Sequence, residues 1–143
     1  MKSKDESRYR LNLAEGFLTE AEQDFGLSRW RSCVDNSQLA VENSGKMVVA
    51  SFRPVEKSHN PAKQVMDLLK TEKIDEELIG DIKNLIPLLD KLGFEEHLKT
   101  DYGDEDTYKS PWDIFKEDDA AEALETARKC VKTAKKAYKF YFE

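Results

Sequence analysis

Apolar residues in this chain recur at intervals of three and four, the spacing of one helical face. Over residues 4–25, Leu11, Ala14, Leu18, Ala21 and Phe25 make such a stripe, widened by Leu13 and Phe17. That period predicts an amphipathic helix, stopped by Gly26. Ser28 is placed to cap a second helix over residues 29–52. Its seam runs Trp30, Val34, Ser37, Val41, Ser44, Val48, with Cys33, Ala40, Met47 and Ser51 beside it. Small residues at this period let another helix approach closely. The second helix is therefore expected at the centre of a bundle or in a dimer face, and Pro54 ends it.

Residues 53–60 read as a turn. Asn60 followed by Pro61 looks like a helix cap with proline at the first helical position, opening a third helix to residue 73 that carries Val65, Met66, Leu68 and Leu69. Asp75 caps a fourth over residues 75–92, striped by Leu78, Ile82, Leu85, Ile86 and Leu89. Gly93 closes it, and Pro87 is expected to kink or split it. Residues 94–98 add one turn. Residues 99–116 lack a period and hold Tyr102, Tyr108 and Trp112 among Asp101, Asp104, Glu105 and Asp106. A structureless segment of that length in a small domain is either functional or packs its aromatics over the bundle; anchoring to the core is the plainer expectation. The last helix, residues 117–141, is striped by Ala120, Ala123, Leu124, Ala127, Val131, Ala134 and Tyr138. It is acidic in its first half and basic in its second, which complements the helix dipole.

Composition narrows this to an all-α, single-domain protein over residues 1–143. Leu, Ala, Glu and Lys, all good helix formers, supply 58 of 143 residues, whereas Val and Ile together number 12, too few for a sandwich or barrel. About five helices in an up-and-down bundle are expected. No apolar run approaches a membrane span, and the charged start Met1-Lys2-Ser3-Lys4-Asp5-Glu6 lacks the apolar segment of a signal peptide, so a cytoplasmic location is expected. Cys33 and Cys130 are isolated and read as reduced, buried thiols. Net charge is −6, which argues against a whole-surface grip on nucleic acid. Neither a phosphate-binding glycine loop nor a glycine-flanked serine nucleophile occurs. His59 and His97 have no Cys nearby to make a zinc site, so neither metal nor cofactor is expected.

Candidate chemistry centres on Arg53 and His59, which flank one short segment with five residues between them. A guanidinium holds phosphate through parallel hydrogen bonds, and an imidazole exchanges a proton near neutral pH. Together they suit metal-independent RNA cleavage, His59 acting on the 2′-hydroxyl or leaving oxygen and Arg53 on the developing charge. The plainer reading is a cation at a helix C-terminus and a cap on the next helix. Lys46, within the small seam, is either a snorkelling surface lysine or a phosphate-facing charge. Tyr108 and its neighbours can stack a base. The basic run from Arg128 to Lys139 reads as a solvated helix face.

Four segments in order resemble the HEPN domain family, the small helical domain linked to nucleotide binding. They are Leu13-Ala14-Glu15-Gly16-Phe17-Leu18-Thr19-Glu20-Ala21; the Ala40-Val41-Glu42-Asn43-Ser44-Gly45-Lys46 run; Ser58-His59-Asn60-Pro61 with the helix after it; and Asp106-Thr107-Tyr108-Lys109-Ser110-Pro111 leading into the final helix. The resemblance implies an up-and-down bundle of the nucleotidyltransferase substrate-binding-subunit type, commonly a homodimer. It implies two functional branches. In one, the domain binds a nucleotide or other phosphate-bearing ligand, with Lys46, Arg53, His59 and Tyr108 as binding residues here, beside a separately encoded minimal nucleotidyltransferase. In the other, it is a ribonuclease of toxin–antitoxin or defence systems, with Arg53 and His59 catalytic and paired across the dimer. Pro54 stands where ribonuclease members have a polar residue, which ranks the binding module first. A ligand-free protein-interaction bundle is the third reading.

Overall fold

The computed structural model describes residues 3–143, without the side chains of Phe94, Glu95 and His97, so the expectation for His97 lies outside the described residues. The helices are α1 (Lys4–Gly26), α2 (Trp30–Ala50), α3 (Ala62–Thr71), α4 (Glu76–Lys91), α5 (Phe94–Tyr102), α6 (Pro111–Ile114) and α7 (Glu117–Phe142). Three residues join α1 to α2, which forces them antiparallel; the Ser3 N–H accordingly reaches the Ala50 carbonyl at 3.2 Å. Helix α7 lies parallel to α2, with Cys33 beside Ala120 at one end and Phe52 edge-on to Tyr141 at the other. It runs antiparallel to α4, where Lys136 meets Asp81 and Lys91 meets Glu122.

The all-α expectation holds, and α2 is the central element. Every residue from Ala40 to Ala50 is buried. Its small seam, including Ser37, Val41 and Ser44, is covered within one chain, so a dimer must use other surfaces. Gly45 shows why small residues are required. A Cβ there would come within 2.5 Å of Pro61 Cγ and 2.8 Å of Leu89 Cδ2. The missing side chain thus seats the start of α3 and the C-terminal end of α4 against α2.

Several local expectations change. Ser28 does not cap α2; it takes a left-handed φ of 57° as the link turns, and the position before α2 is Arg29, without a side-chain cap. Asn60 does act at the start of α3, its Oδ1 accepting the Ala62 N–H at 3.0 Å. Asp75 caps α4 as expected, accepting from the Glu77 N–H. Pro87 does not split α4. Pro87 and Lys83 are both exposed, so the carbonyl that loses its donor can turn to water.

The segment read as aperiodic is also structured. Helix α5 continues to Tyr102 because tertiary contacts outweigh its weak period. Thr100 is buried and bonds Asp35 at 3.1 Å, and the Arg31 Nε donates to the Thr100 carbonyl at 2.6 Å. A tight turn follows, with Asp104 and Lys109 exchanging backbone hydrogen bonds. Gly103 enters it at φ 73°, where a Cβ would strike the Lys109 carbonyl. Tyr108 leaves it at φ 58° and is 94% exposed. Tyr102 and Trp112 are exposed too, so these aromatics do not anchor the loop to the core. Among the described residues, no helix is long and apolar enough to cross a membrane.

Candidate functional site

The site is built on one face near the C-terminal end of α2. Glu42 and Lys46 are four residues apart, with the carboxylate on the N-terminal side, the favoured order for a helical ion pair. Lys46 Nζ donates to Glu42 Oε2 at 3.0 Å. Both are almost buried, 7% and 6% exposed. Two ions in such a place persist only when paired and hydrogen-bonded, and the other carboxylate oxygen is also used. His59 Nδ1 lies 3.0 Å from Glu42 Oε1. A carboxylate only accepts, so Nδ1 carries the proton. Gln38 Nε2 donates to the same oxygen at 3.3 Å and to the His59 carbonyl at 3.4 Å. One carboxylate on α2 therefore fixes both the lysine and the segment that carries the histidine.

That segment is fixed from α3 as well. Gln64 accepts the Glu56 N–H and donates to the Pro54 carbonyl. Ser58 and Asn60 bond each other, and Asn60 Nδ2 reaches Asp90 Oδ1 on α4 at 3.0 Å. From α1, Arg10 Nε donates to Glu6 Oε1 at 3.0 Å and its Nη1 to Asn43 Oδ1 at 3.3 Å. Arg10, Lys46, Val55, Glu56, Lys57, Ser58 and His59 together line an open groove of about 330 Å³. Three side-chain cations and an imidazole, with one carboxylate, Glu56, thus line one space on a chain of net charge −6. Hydrogen bonds to ionised donors of this kind are the strong ones for phosphate oxygens.

The fold and this groove stand beside a match to the model of the HEPN domain over residues 7–137. The chain belongs to the HEPN domain family. No curated protein matches it. Among solved structures it is similar to the crystal structure of TT1696 from Thermus thermophilus, at 21% identity and a TM-score of 0.65, over 92% of this chain and 97% of that one. At that identity the likeness speaks for the fold.

In this HEPN domain, Lys46 and His59 come together through Glu42. Arg53 does not join them. Its guanidinium bonds Thr71 Oγ1 at 2.6 Å and Glu72 Oε2 at 3.6 Å, at the far end of α3 from His59. The ten residues of α3, about 15 Å of helix, lie between the segment that carries His59 and the residues that hold Arg53. Tyr108 is remote as well. Its loop follows α5, which is tied to Arg31 and Asp35 near the start of α2. Arg31 and Lys46 are fifteen residues apart on α2, about 22 Å of helix. Arg10, Lys57 and the bridging role of Glu42 go beyond the residues singled out in the sequence. The four-residue spacing of Glu42 and Lys46 was readable there; the approach of Arg10 from α1 depends on how the two helices pack.

The thiols are inert. Burial pushes Cys33 up to about 11 and Cys130 up to about 12, so both stay protonated at neutral pH. Among the described residues, no group of three or more His, Cys, Asp or Glu is placed to hold a metal ion.

Proposed function

We propose that this HEPN domain binds a nucleotide through its phosphates in the groove of Arg10, Lys46, Lys57 and His59. One observation carries the reading: a nearly buried lysine opens onto a groove and shares a single carboxylate with a histidine. A buried ammonium that serves packing alone is expensive. Here one of its three N–H donors goes to Glu42. Arg10 likewise gives two of its five N–H donors to Glu6 and Asn43. Both residues line the groove, and their remaining donors suit phosphate oxygens. The small, local extent of the groove and the acidic chain favour a nucleotide over a long RNA.

With Arg53 held at the far end of α3, the ribonuclease reading has no single-chain site to support it. The family's habit of homodimerising and of accompanying a separately encoded minimal nucleotidyltransferase forms part of the proposal, the dimer using surfaces other than the buried α2 seam. Calorimetric titration with ATP tests the binding reading. Wild type should give a saturable isotherm. Arg10→Ala and Lys57→Ala should each weaken it about tenfold, the size of one charge-assisted hydrogen bond. Absence of heat at millimolar ATP, with circular dichroism confirming the fold, overturns the proposal.

A further inference from the structure

The groove supplies groups for phosphate, yet its lining contains no Phe, Tyr or Trp, and its one aromatic ring, His59, is held by Glu42. The three exposed aromatics of the 99–116 segment, Tyr102, Tyr108 and Trp112, stand at the other end of α2 and cannot reach a ligand seated on Lys46. One exposed ring is joined to the groove through Arg10. Tyr9 on α1 is 54% exposed, and the Arg10 guanidinium sits over its ring, 5.3 Å from the centroid. A lone exposed tyrosine is ordinary on a protein surface. What distinguishes Tyr9 is this neighbour. Arg10 lines the groove, and its guanidinium is bonded by Glu6 and by Asn43, so its position above the ring is defined from two sides. Ring and guanidinium together form a small platform at the groove's edge, and nucleobases stack on both kinds of surface.

We propose that Tyr9, held by the Arg10 guanidinium over its ring, is the base platform of this site, so that the groove selects a nucleotide over a phosphate chain without a base. The inference rests on the binding reading above and deepens it. Arg10 then has two tasks: its remaining N–H groups meet phosphate, and its charge over one face holds the Tyr9 ring at the groove's edge. Stacking of a base on an aromatic side chain strengthens binding about tenfold and tolerates any base, because every base has a π-face. The platform should therefore accept ATP and GTP alike.

The test compares ATP with inorganic tripolyphosphate by calorimetry and reads the ratio of the two affinities. Wild type should bind ATP about tenfold more tightly than tripolyphosphate. Tyr9→Leu, which keeps an apolar side chain but has no π-face, should bring that ratio near one, and Tyr9→Phe should preserve it. Tyr108→Ala should leave the ratio as in wild type. If wild type binds both ligands equally, or if Tyr9→Leu leaves the ratio intact, the platform is refuted while the phosphate groove stands. If the ratio collapses in Tyr108→Ala and not in Tyr9→Leu, the base sits at the other end of the molecule and the inference is wrong. If wild type binds neither ligand, the underlying binding reading falls, and the platform falls with it.

Discussion

Replacing Gly45 by alanine separates the packing account from simple helix propensity. In an exposed helix interior, glycine to alanine is worth about 0.5–1 kcal/mol of added stability. Gly16 in α1 and Gly80 in α4 meet that description, since a Cβ at either would have nothing within 4 Å. Gly45 lies in the middle of α2 with the Pro61 ring and Leu89 already at the place a Cβ would take. Overpacking a filled site costs about 1–3 kcal/mol. Subtracting the helix gain leaves Gly45→Ala less stable by up to about 2.5 kcal/mol, whereas Gly16→Ala and Gly80→Ala gain stability. Urea unfolding followed by circular dichroism resolves this, the Gly45→Ala midpoint falling by up to about 1 M for a typical slope. Pro61 is two residues beyond His59, so the same substitution should weaken ATP binding as well. A Gly45→Ala protein as stable as Gly80→Ala would refute the close seating of α3 and α4 on α2.

Other expectations follow from the same contacts. Arg53→Ala should leave ATP affinity unchanged and cost less than about 1 kcal/mol by thermal melt, because its bridge to Glu72 is partly exposed; a tenfold loss of affinity would return Arg53 to the site. Gly103→Ala should destabilise the turn at φ 73°, seen as faster amide hydrogen exchange over residues 103–110 with the rest of the bundle unchanged. Cys130 should make the protein pH-sensitive in alkali. Its folded value of about 12 lies above the unfolded value near 9. The folded thiol therefore keeps a proton that the unfolded one loses, and the contribution is whole below pH 9 and lost as pH rises toward 12. The loss approaches about 1.4 kcal/mol per pH unit within that window. Cys130→Ala should flatten the dependence, and an unchanged slope would show that other groups cause it.

The bundle was legible because its stripes are strong. The run from Leu11 to Phe25 and that from Ala120 to Tyr138 each bury one face, and periodicity reports burial directly. The central place of α2 was one of two expectations its small seam allowed, and burial of Ala40 to Ala50 decides between them. The extent of α5 was hidden because Thr100 and Asp101 are held by Arg31 and Asp35, some 65 residues away in sequence. The site was half legible. Glu42 and Lys46 share a helix, and a four-residue spacing brings such side chains into contact. Arg53 and His59 looked paired because five residues separate them, but the turn sends one along α3 and holds the other to α2. Spacing across a turn fixes proximity of backbone, while the partners waiting at each side chain decide direction.

The most direct test of the central claim, that Glu42 presents Lys46 and His59 to a phosphate groove shared with Arg10, is a map of amide chemical shifts during titration with ATP. Saturable changes are expected at residues 9–10, 42–46 and 55–60, with little movement at 102–112 or along the α4–α7 surface where Lys136 meets Asp81. Changes confined to either of those other surfaces, or none at millimolar ATP, would contradict it.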